Sequence, residues 1–240
     1  MRFSIVIPAR DEAAHLGACM DSIASASRSY SGEVETIVVL NRCTDSTEVI
    51  ALSHGARIVH DDSKNLSKIR NAGARVATGH ILVTIDADSR MSANMLVEID
   101  RALTSGKYIG GAVPVQPERW SLGIALAVFL LRAFLRLTGL AGGLFWCFRR
   151  DFEAVSGFNE ELLVAEDLDF AKRLKAYGRR QGKAFVTLRK THIVTSCRKF
   201  DAFGDWFVFR YMLFHGREVR RGIRGQDRSF PDRYFYDFNT

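Results

Sequence analysis

The sequence has few cysteines and prolines and no apolar run long enough to cross a membrane. Its four cysteines lie far apart without a Cys-x-x-Cys pair, which argues against a zinc knuckle, a redox motif or a disulfide framework. The apolar run at residues 122–131 has ten residues, whereas a membrane-spanning helix needs about twenty. The N-terminal run turns polar after Pro8 and lacks the apolar region of a secretory signal. We therefore expect a cytoplasmic protein.

What the chain has in quantity is apolar side chains and, near its end, positive charge. Of its 240 residues 47% are hydrophobic and 25% charged, which fits one large domain with or without an appendage. From Lys172 onward 17 Lys and Arg residues stand against 6 Asp and Glu. This excess suits anionic lipid, nucleic acid or a phosphate-bearing substrate, or is simply a solvated basic tail. Since no nucleic-acid recognition motif accompanies it, we expect no nucleic-acid partner.

Short β-branched runs alternate with helical segments in the first part of the chain. The predicted strands are residues 3–7, 35–40, 56–59 and 81–85, and the predicted helices are residues 13–25, 45–54 and 68–77. This alternation predicts an α/β fold with a mostly parallel, Rossmann-like sheet flanked by helices. In such sheets ligands bind beyond the carboxyl ends of the strands. Polar turns at 8–12, 41–45 and 86–88 follow three of the strands there.

The fourth strand ends on Asp86 and Asp88, with only the small Ala87 between them. Side chains two residues apart on an extended backbone lean to the same side, so both carboxylates can face one ligand. Mg²⁺ and Mn²⁺ bind such oxygens and complete their shells with water and substrate phosphate. Taken alone, the pair is more typical of two solvated acids in a loop.

Several motifs, in order and spacing, resemble those of family 2 glycosyltransferases of the GT-A fold. They lie at residues 7–12, 38–47, 70–73 and 86–88, with further matches at 142–143, 157–160 and 166–169. The resemblance implies inverting, metal-dependent transfer of a sugar from a nucleoside-diphosphate donor. It also implies a nucleotide-sugar-binding half at residues 1–110 and an acceptor and catalytic half at 111–199. The basic charge and the apolar segment near the end of the chain predict a helical, basic C-terminal extension at 200–240.

The resemblance also implies roles for individual residues. Asp88 would bind the metal, and Asp86 would contact the donor or share the metal. His192 is a candidate for completing the metal shell, although a structural or surface role is favoured because the chain has six scattered histidines. An inverting reaction needs a base for the acceptor hydroxyl, and the resemblance places it at Asp167, with Glu166 as the neighbouring candidate. The nucleoside pocket would be lined by Pro8, Ala9, Arg10, Glu12, Asn41 and Arg70.

Some positions depart from the family's common pattern. Residues 40–43 read Leu-Asn-Arg-Cys where Asp-Asp-Gly-Ser is common, which leaves UDP, GDP and other donors open. Arg10 replaces an aromatic residue that stacks on the base in many members. The segment 196–200 could bring Arg198 onto the diphosphate. It is not the Gln-x-x-Arg-Trp motif of processive members, and we therefore expect a single addition per acceptor.

Alternatives to the transferase hypothesis remain open at this point. A sugar-nucleotide pyrophosphorylase would begin with a glycine-rich loop, whereas residues 8–12 contain no glycine. A noncatalytic sugar-nucleotide or phospholipid-binding protein is the third hypothesis. For the transferase, the acceptor is unknown: a glycan, a lipid-linked molecule or an envelope polysaccharide precursor. Two apolar segments with arginines, 122–137 and 206–221, predict peripheral binding to an anionic membrane surface, although core-facing helices show the same pattern.

Overall fold

A central sheet with helices on both faces organises the protein. The structure is a computed structural model and describes residues 1–138, 143–163 and 165–210. In chain order the strands are β1 (Phe3–Ala9), β2 (Val34–Leu40), β3 (Arg57–His60), β4 (Ile81–Thr84), β5 (Ser89–Met91), β6 (Tyr108–Ala112), β7 (Val115–Pro117), β8 (Phe145–Phe148), β9 (Ala184–Thr187) and β10 (Ile193–Thr195). The helices are α1 (Leu16–Arg28), α2 (Thr47–Ser53), α3 (Leu66–Val76), α4 (Met95–Thr104), α5 (Leu122–Thr138), α6 (Arg149–Ala154), α7 (Glu166–Arg180) and α8 (Arg198–Phe203).

The seven strands of the main sheet follow the order β3-β2-β1-β4-β8-β6-β9. Strands β1 to β4 pair in parallel, as does β9 with β6. Strand β8 runs antiparallel to both of its neighbours, β4 and β6. The predicted α/β fold with a mostly parallel sheet is therefore confirmed, and β8 joins its two halves.

The predicted elements of the first half are present, with shifted ends. The first helix begins at Leu16 rather than at Ala13. Residues 13–15 form a turn instead, because the Glu12 carbonyl accepts hydrogen bonds from the amides of both His15 and Leu16. The carboxylate of Asp45 accepts a further hydrogen bond from the Ala13 amide at 2.9 Å. These contacts fix the loop after β1 against the loop after β2.

The core lies on both faces of the sheet. Strands β1 and β4 are buried along most or all of their length, and β2 is buried over its last four residues. Helix α3 packs closely on β1 at Gly73, where a Cβ atom would lie 2.4 Å from Val6 Cγ1. A larger residue would push α3 outward. The position of α3 matters because the helix carries Arg70 and Asn71, which organise the candidate site.

A second, three-stranded sheet of order β5-β10-β7 lies next to the end of β4. It brings residues near 90, 116 and 194 together, although the sequence pattern predicted none of these strands. In the part of the chain that the structure describes, no helix is long and apolar enough to cross a membrane. Of the predicted C-terminal extension, residues 211–240 lie outside the described residues, as does Gly142 of the predicted motif at 142–143.

Candidate active site

The site is built around a buried arginine that bridges two parts of the chain. Arg70 of α3 donates from Nη2 to Asp86 Oδ1 at 2.8 Å and from Nη1 to Glu166 Oε1 at 2.9 Å. The guanidinium is buried, and its carbon lies 5.2 Å from the centre of the Phe158 ring. Two charged hydrogen bonds and an aromatic face thus fix one side chain in one orientation. Arg70 therefore links the Asp-x-Asp segment to the start of α7.

The start of α7 carries three acids, Glu166, Asp167 and Asp169. Positive backbone charge at a helix N-terminus favours ionised acids there, as does the nearby Arg70. Burial acts in the opposite direction and is the larger effect, so the pKa values of both Glu166 and Asp167 are raised above their ordinary range. Two carboxyl groups with raised pKa values beside a strand-end acid pair are typical of a catalytic centre.

The loop before α7 is held in place by two asparagines of α3 and its N-cap. Asn71 donates to the Phe158 carbonyl at 2.8 Å and accepts from the Phe158 amide at 3.0 Å. Gly157 has φ +61°, and a Cβ there would lie 2.6 Å from Asn71 Oδ1. Asn65, the N-cap residue, donates to the Glu160 carbonyl at 2.8 Å. These contacts explain the Gly-Phe-Asn-Glu motif, because its backbone is the partner of α3.

A second ion-pair cluster lies on the other side of the Asp-x-Asp segment. Arg198, the first residue of α8, makes a forked contact with Glu12, with Nη1 to Oε2 at 2.9 Å and Nη2 to Oε1 at 2.7 Å. Its Nη2 also lies 3.3 Å from Asp88 Oδ2. Ser196 donates to the same Asp88 oxygen at 3.0 Å. The Ser196 and Glu12 contacts were not predicted, because no local pattern links positions so far apart in the chain.

Several residues predicted to line a nucleoside pocket lie at or just beyond the ends of β1 and β2. The backbone amide of Asn41 donates to the Ala9 carbonyl at 2.8 Å. The backbone amide of Glu12 donates to Thr47 Oγ1 at 2.8 Å. The side chain of Asn41 is buried and donates to the carbonyls of Asp61 and Ser63. Asn41 thus anchors the loop that leads to α3.

Pro8 and Arg10 also lie in this region. Pro8 is part of β1 and pairs with Val39 of β2, while Arg10 is half-buried in the loop that follows. Both belong to the strand-end edge that the sequence predicted for ligand binding.

His192 does not join the two aspartates. Strands β5 and β10 are antiparallel with Thr195 opposite Ser89, so Ser196 is the residue beside Asp88. His192 comes just before β10, four residues before Ser196, and its carbonyl accepts from the Ser92 amide. At ~3.3 Å per residue this places it about 13 Å from Ser196. The hypothesis that His192 completes a metal shell with Asp88 is therefore not supported by this register.

The acid pair fits a hard divalent ion that arrives with a phosphate ligand. The Asp86 side chain is 47% exposed and that of Asp88 17%, so a ligand can reach Asp86 more easily than Asp88. Within residues 1–138, 143–163 and 165–210 no group of three or more His, Cys, Asp and Glu side chains could hold a metal. Mg²⁺ and Mn²⁺ commonly take only one or two protein carboxylates and several oxygens from substrate and water.

Comparison with known proteins places this geometry in a family. The sequence profile described as "Glycosyl transferase family 2" matches residues 4–139, more than half of the chain. A relative named "PGL/p-HBAD biosynthesis glycosyltransferase" from Mycobacterium tuberculosis is 33% identical over 118 residues, covering 47% of this chain and 43% of that protein. The chain thus spans less than half of that relative's length.

Two solved structures share the fold. The mannosyltransferase PcManGT from Pyrobaculum calidifontis, in complex with GDP-Man and Mn²⁺, superposes with a TM-score of 0.66 at 18% identity, covering 91% of this chain and 64% of that one. Residues 1–349 of TarS from S. aureus, in complex with UDP-GlcNAc, superpose with a TM-score of 0.64 at 17% identity, covering 82% and 58%. The predicted GT-A fold is confirmed, and the chain belongs to glycosyl transferase family 2.

Proposed function

We propose that the protein is a metal-dependent, inverting glycosyltransferase that moves one sugar from a nucleoside-diphosphate donor to an acceptor. The observation that carries this proposal is the bridge from Asp86 through Arg70 to Glu166. It joins the acid pair, suited to a diphosphate donor, to the buried acids of α7, suited to proton removal. A pyrophosphorylase or a simple binding protein has no need for the second group of acids.

In the proposed reaction each cluster has a distinct task. The loops after β1 and β2, with Pro8, Ala9, Arg10, Glu12 and Asn41, bind the nucleoside. Asp86 and Asp88 would hold Mn²⁺ or Mg²⁺, which when bound supplies Lewis-acid stabilisation of the leaving diphosphate. Asp167 accepts the proton of the acceptor hydroxyl as the new glycosidic bond forms, and the bond to the diphosphate breaks on the opposite face of the sugar. Arg70 holds Asp86 and the acids of α7 in fixed positions relative to one another.

The donor would be a UDP- or GDP-sugar. These are the donors named in the two complexes of the same fold. Calorimetric titration with UDP and with GDP distinguishes the two donors. The side-chain amide of Asn41 anchors a loop.

Asp88→Ala tests the metal part of the proposal. We expect wild-type protein to bind UDP or GDP more tightly with Mn²⁺ than without it, and the variant to lose this difference, because one of the two carboxylates would be gone. Isothermal titration calorimetry of both proteins, with each nucleotide and with or without Mn²⁺, measures the effect. The matched control is Asp100→Ala, an acid of α4 outside the site, which should keep the metal effect. Equal metal dependence in Asp88→Ala and wild type would refute the assignment.

The acceptor side of the proposal rests on an exposed apolar face of α5. Leu122 is 77% exposed and Phe129 66% exposed, and Leu126, Leu130 and Leu131 are exposed beside them. Trp120 and Trp206 are exposed near the start of the helix, where Gly123 closely approaches Asp205. Aromatic and apolar side chains with a nearby exposed Arg132 are typical of a helix that lies in an anionic membrane interface. We propose peripheral binding to the cytoplasmic membrane.

This face is connected to the donor site. Arg119, which precedes α5, forms ion pairs with Asp201 and Asp205 at 2.5 Å and 2.7 Å, and Asp201 lies in α8, whose first residue is Arg198. An acceptor anchored in lipid would therefore reach the donor from the membrane side. This supports a lipid-linked acceptor or an envelope polysaccharide precursor.

The membrane proposal predicts salt-sensitive sedimentation with anionic vesicles. Replacing both Leu122 and Phe129 by Glu should weaken vesicle binding at least about tenfold. Burial of each of these side chains in lipid contributes roughly 1.5–3 kcal/mol to the free energy of binding. Vesicles of mixed neutral and anionic phospholipid at low and high salt measure the effect. The control replaces Val49 and Leu52 of α2, 67% and 56% exposed, by Glu. Equal sedimentation of the two double variants, or none by wild type at low salt, would refute the proposal.

A further inference from the structure

The side chain of Arg198 occupies the space between two carboxylates that the proposed function assigns to donor and metal. Its guanidinium forks onto Glu12 and also approaches Asp88 Oδ2 at 3.3 Å. Glu12 is buried and the Asp88 side chain is mostly buried. Two carboxylates so placed need a counter-charge, because ionised groups are costly to bury alone. Arg198 supplies that charge in the donor-free protein.

The cation also comes with a basic neighbour. Lys199 follows Arg198. Burial, together with the Arg198 charge, lowers the pKa of Lys199 below its ordinary value, although Asp88, Asp86 and Glu12 partly offset this effect. The first two residues of α8, Arg198 and Lys199, therefore lie close to three acids, Glu12, Asp86 and Asp88. A divalent ion approaching Asp88 would meet the Arg198 guanidinium, whose Nη2 lies 3.3 Å from Asp88 Oδ2. Like charges so close repel strongly.

We infer that Arg198 is a resident counter-ion that competes with the divalent metal for Asp88. It prevents free metal from filling the donor-free site, and it leaves Asp88 only when a diphosphate offers its own oxygens to the guanidinium. The guanidinium can make the same two-pronged hydrogen bonds to phosphate oxygens as to a carboxylate. Metal and nucleotide would therefore bind together, because the nucleotide releases Asp88 from Arg198. The inference rests on the proposed function and adds a residue that controls metal occupancy.

The test measures Mn²⁺ binding without any nucleotide. In Arg198→Ala we expect the Mn²⁺ affinity of the donor-free protein to rise by about tenfold or more, since a unit charge within ~4 Å of the ion is removed. Loss of the free-Mn²⁺ electron paramagnetic resonance signal on titration reports bound metal directly. Arg90→Ala is the matched control: it removes the same charge two residues from Asp88, but Arg90 pairs with Glu118 on the surface at 2.8 Å, so its Mn²⁺ affinity should stay at the wild-type value.

A second variant protects the test against loss of folding. Arg198→Gln keeps a side chain that can hydrogen-bond Glu12 but removes the charge, and it should show the same gain in Mn²⁺ affinity. Unchanged Mn²⁺ affinity in the folded Arg198 variants, with wild type binding Mn²⁺ once nucleotide is added, would overturn the inference and leave the proposed function standing. If wild type binds no Mn²⁺ even with UDP or GDP, the metal part of the proposed function fails and the inference fails with it.

Discussion

Asp167→Asn is expected to lower the rate of sugar transfer by about 10² to 10⁴-fold, the usual contribution of a general base, while nucleotide affinity stays within about twofold of wild type. The amide has nearly the same shape as the carboxylate and can still accept the hydrogen bond that Asp167 Oδ1 receives from the Leu168 amide. Only the capacity to take a proton is lost. Donor turnover to nucleoside diphosphate, with candidate acceptors or with water, measures the rate, and calorimetry measures the affinity.

The control for this substitution lies in the same helical turn. Asp169→Asn removes an acid that is paired with Arg173 at 2.6 Å. The ion pairs of Arg70 are with Asp86 and Glu166 instead. Its turnover should remain near that of wild type. Near-normal turnover in Asp167→Asn would reject Asp167 as the base, and Glu166→Gln would then be the variant to compare.

The pH dependence of turnover follows from the same assignment. Burial raises the pKa of Asp167 above its ordinary value of 3.8, and a general base acts only when ionised. Activity should therefore fall as the pH drops through the raised pKa, so the acid limb of the rate profile should lie above the ordinary aspartate range. The residual activity of Asp167→Asn should lack this limb.

Arg70→Met is expected to destabilise the protein by about 3–5 kcal/mol, because removing one partner of a buried ion pair leaves an uncompensated charge. Glu166, whose side chain is only 12% exposed, loses its cation, and Asp86 loses a charged hydrogen bond. Lysine in place of Met would restore the charge but not the fork that reaches two carboxylates at once. Urea unfolding followed by circular dichroism measures the free energy of unfolding.

The destabilisation should also depend on pH in a defined direction. Without Arg70, the folded-state pKa of Glu166 would rise further above its ordinary value of 4.5. A carboxyl group with a raised folded pKa loses stability as the pH rises through that pKa, so the deficit of Arg70→Met should be larger at pH 8 than at pH 5. Arg75→Met on the same helix, whose exposed side chain lies 3.7 Å from Glu160, should change stability by no more than about 0.5 kcal/mol. Equal stability of the two variants would show that Arg70 does not hold the site together.

Local sequence patterns were sufficient for the first half of the fold. Strands β1 to β4 and the helices between them follow from the alternation of apolar and helical segments, because each parallel βαβ unit is formed by neighbouring stretches of chain. The same reasoning placed Pro8, Asn41 and Asp86 at one edge of the sheet. It worked because consecutive parallel strands end on the same side.

The second half was much less accessible to such reasoning. Strand β8 enters the sheet antiparallel between β4 and β6, and β5, β7 and β10 are three residues long, too short for a periodic pattern to be recognised. His192 illustrates the consequence. Its distance from Asp88 is set by the register of β5 and β10, which no pattern within either strand reveals.

By itself the sequence determined the family, the parallel half of the sheet and the acids at the end of β4, because these depend on local periodicity and on motifs of fixed spacing. The tertiary structure alone decided which charges meet. Glu12 and Arg198 are separated by 186 residues and Arg70 and Glu166 by 96, and nothing in the chain between them encodes the pairing. Such pairs form because an ionised group is costly to bury without a partner of opposite sign, and only folding brings these groups together.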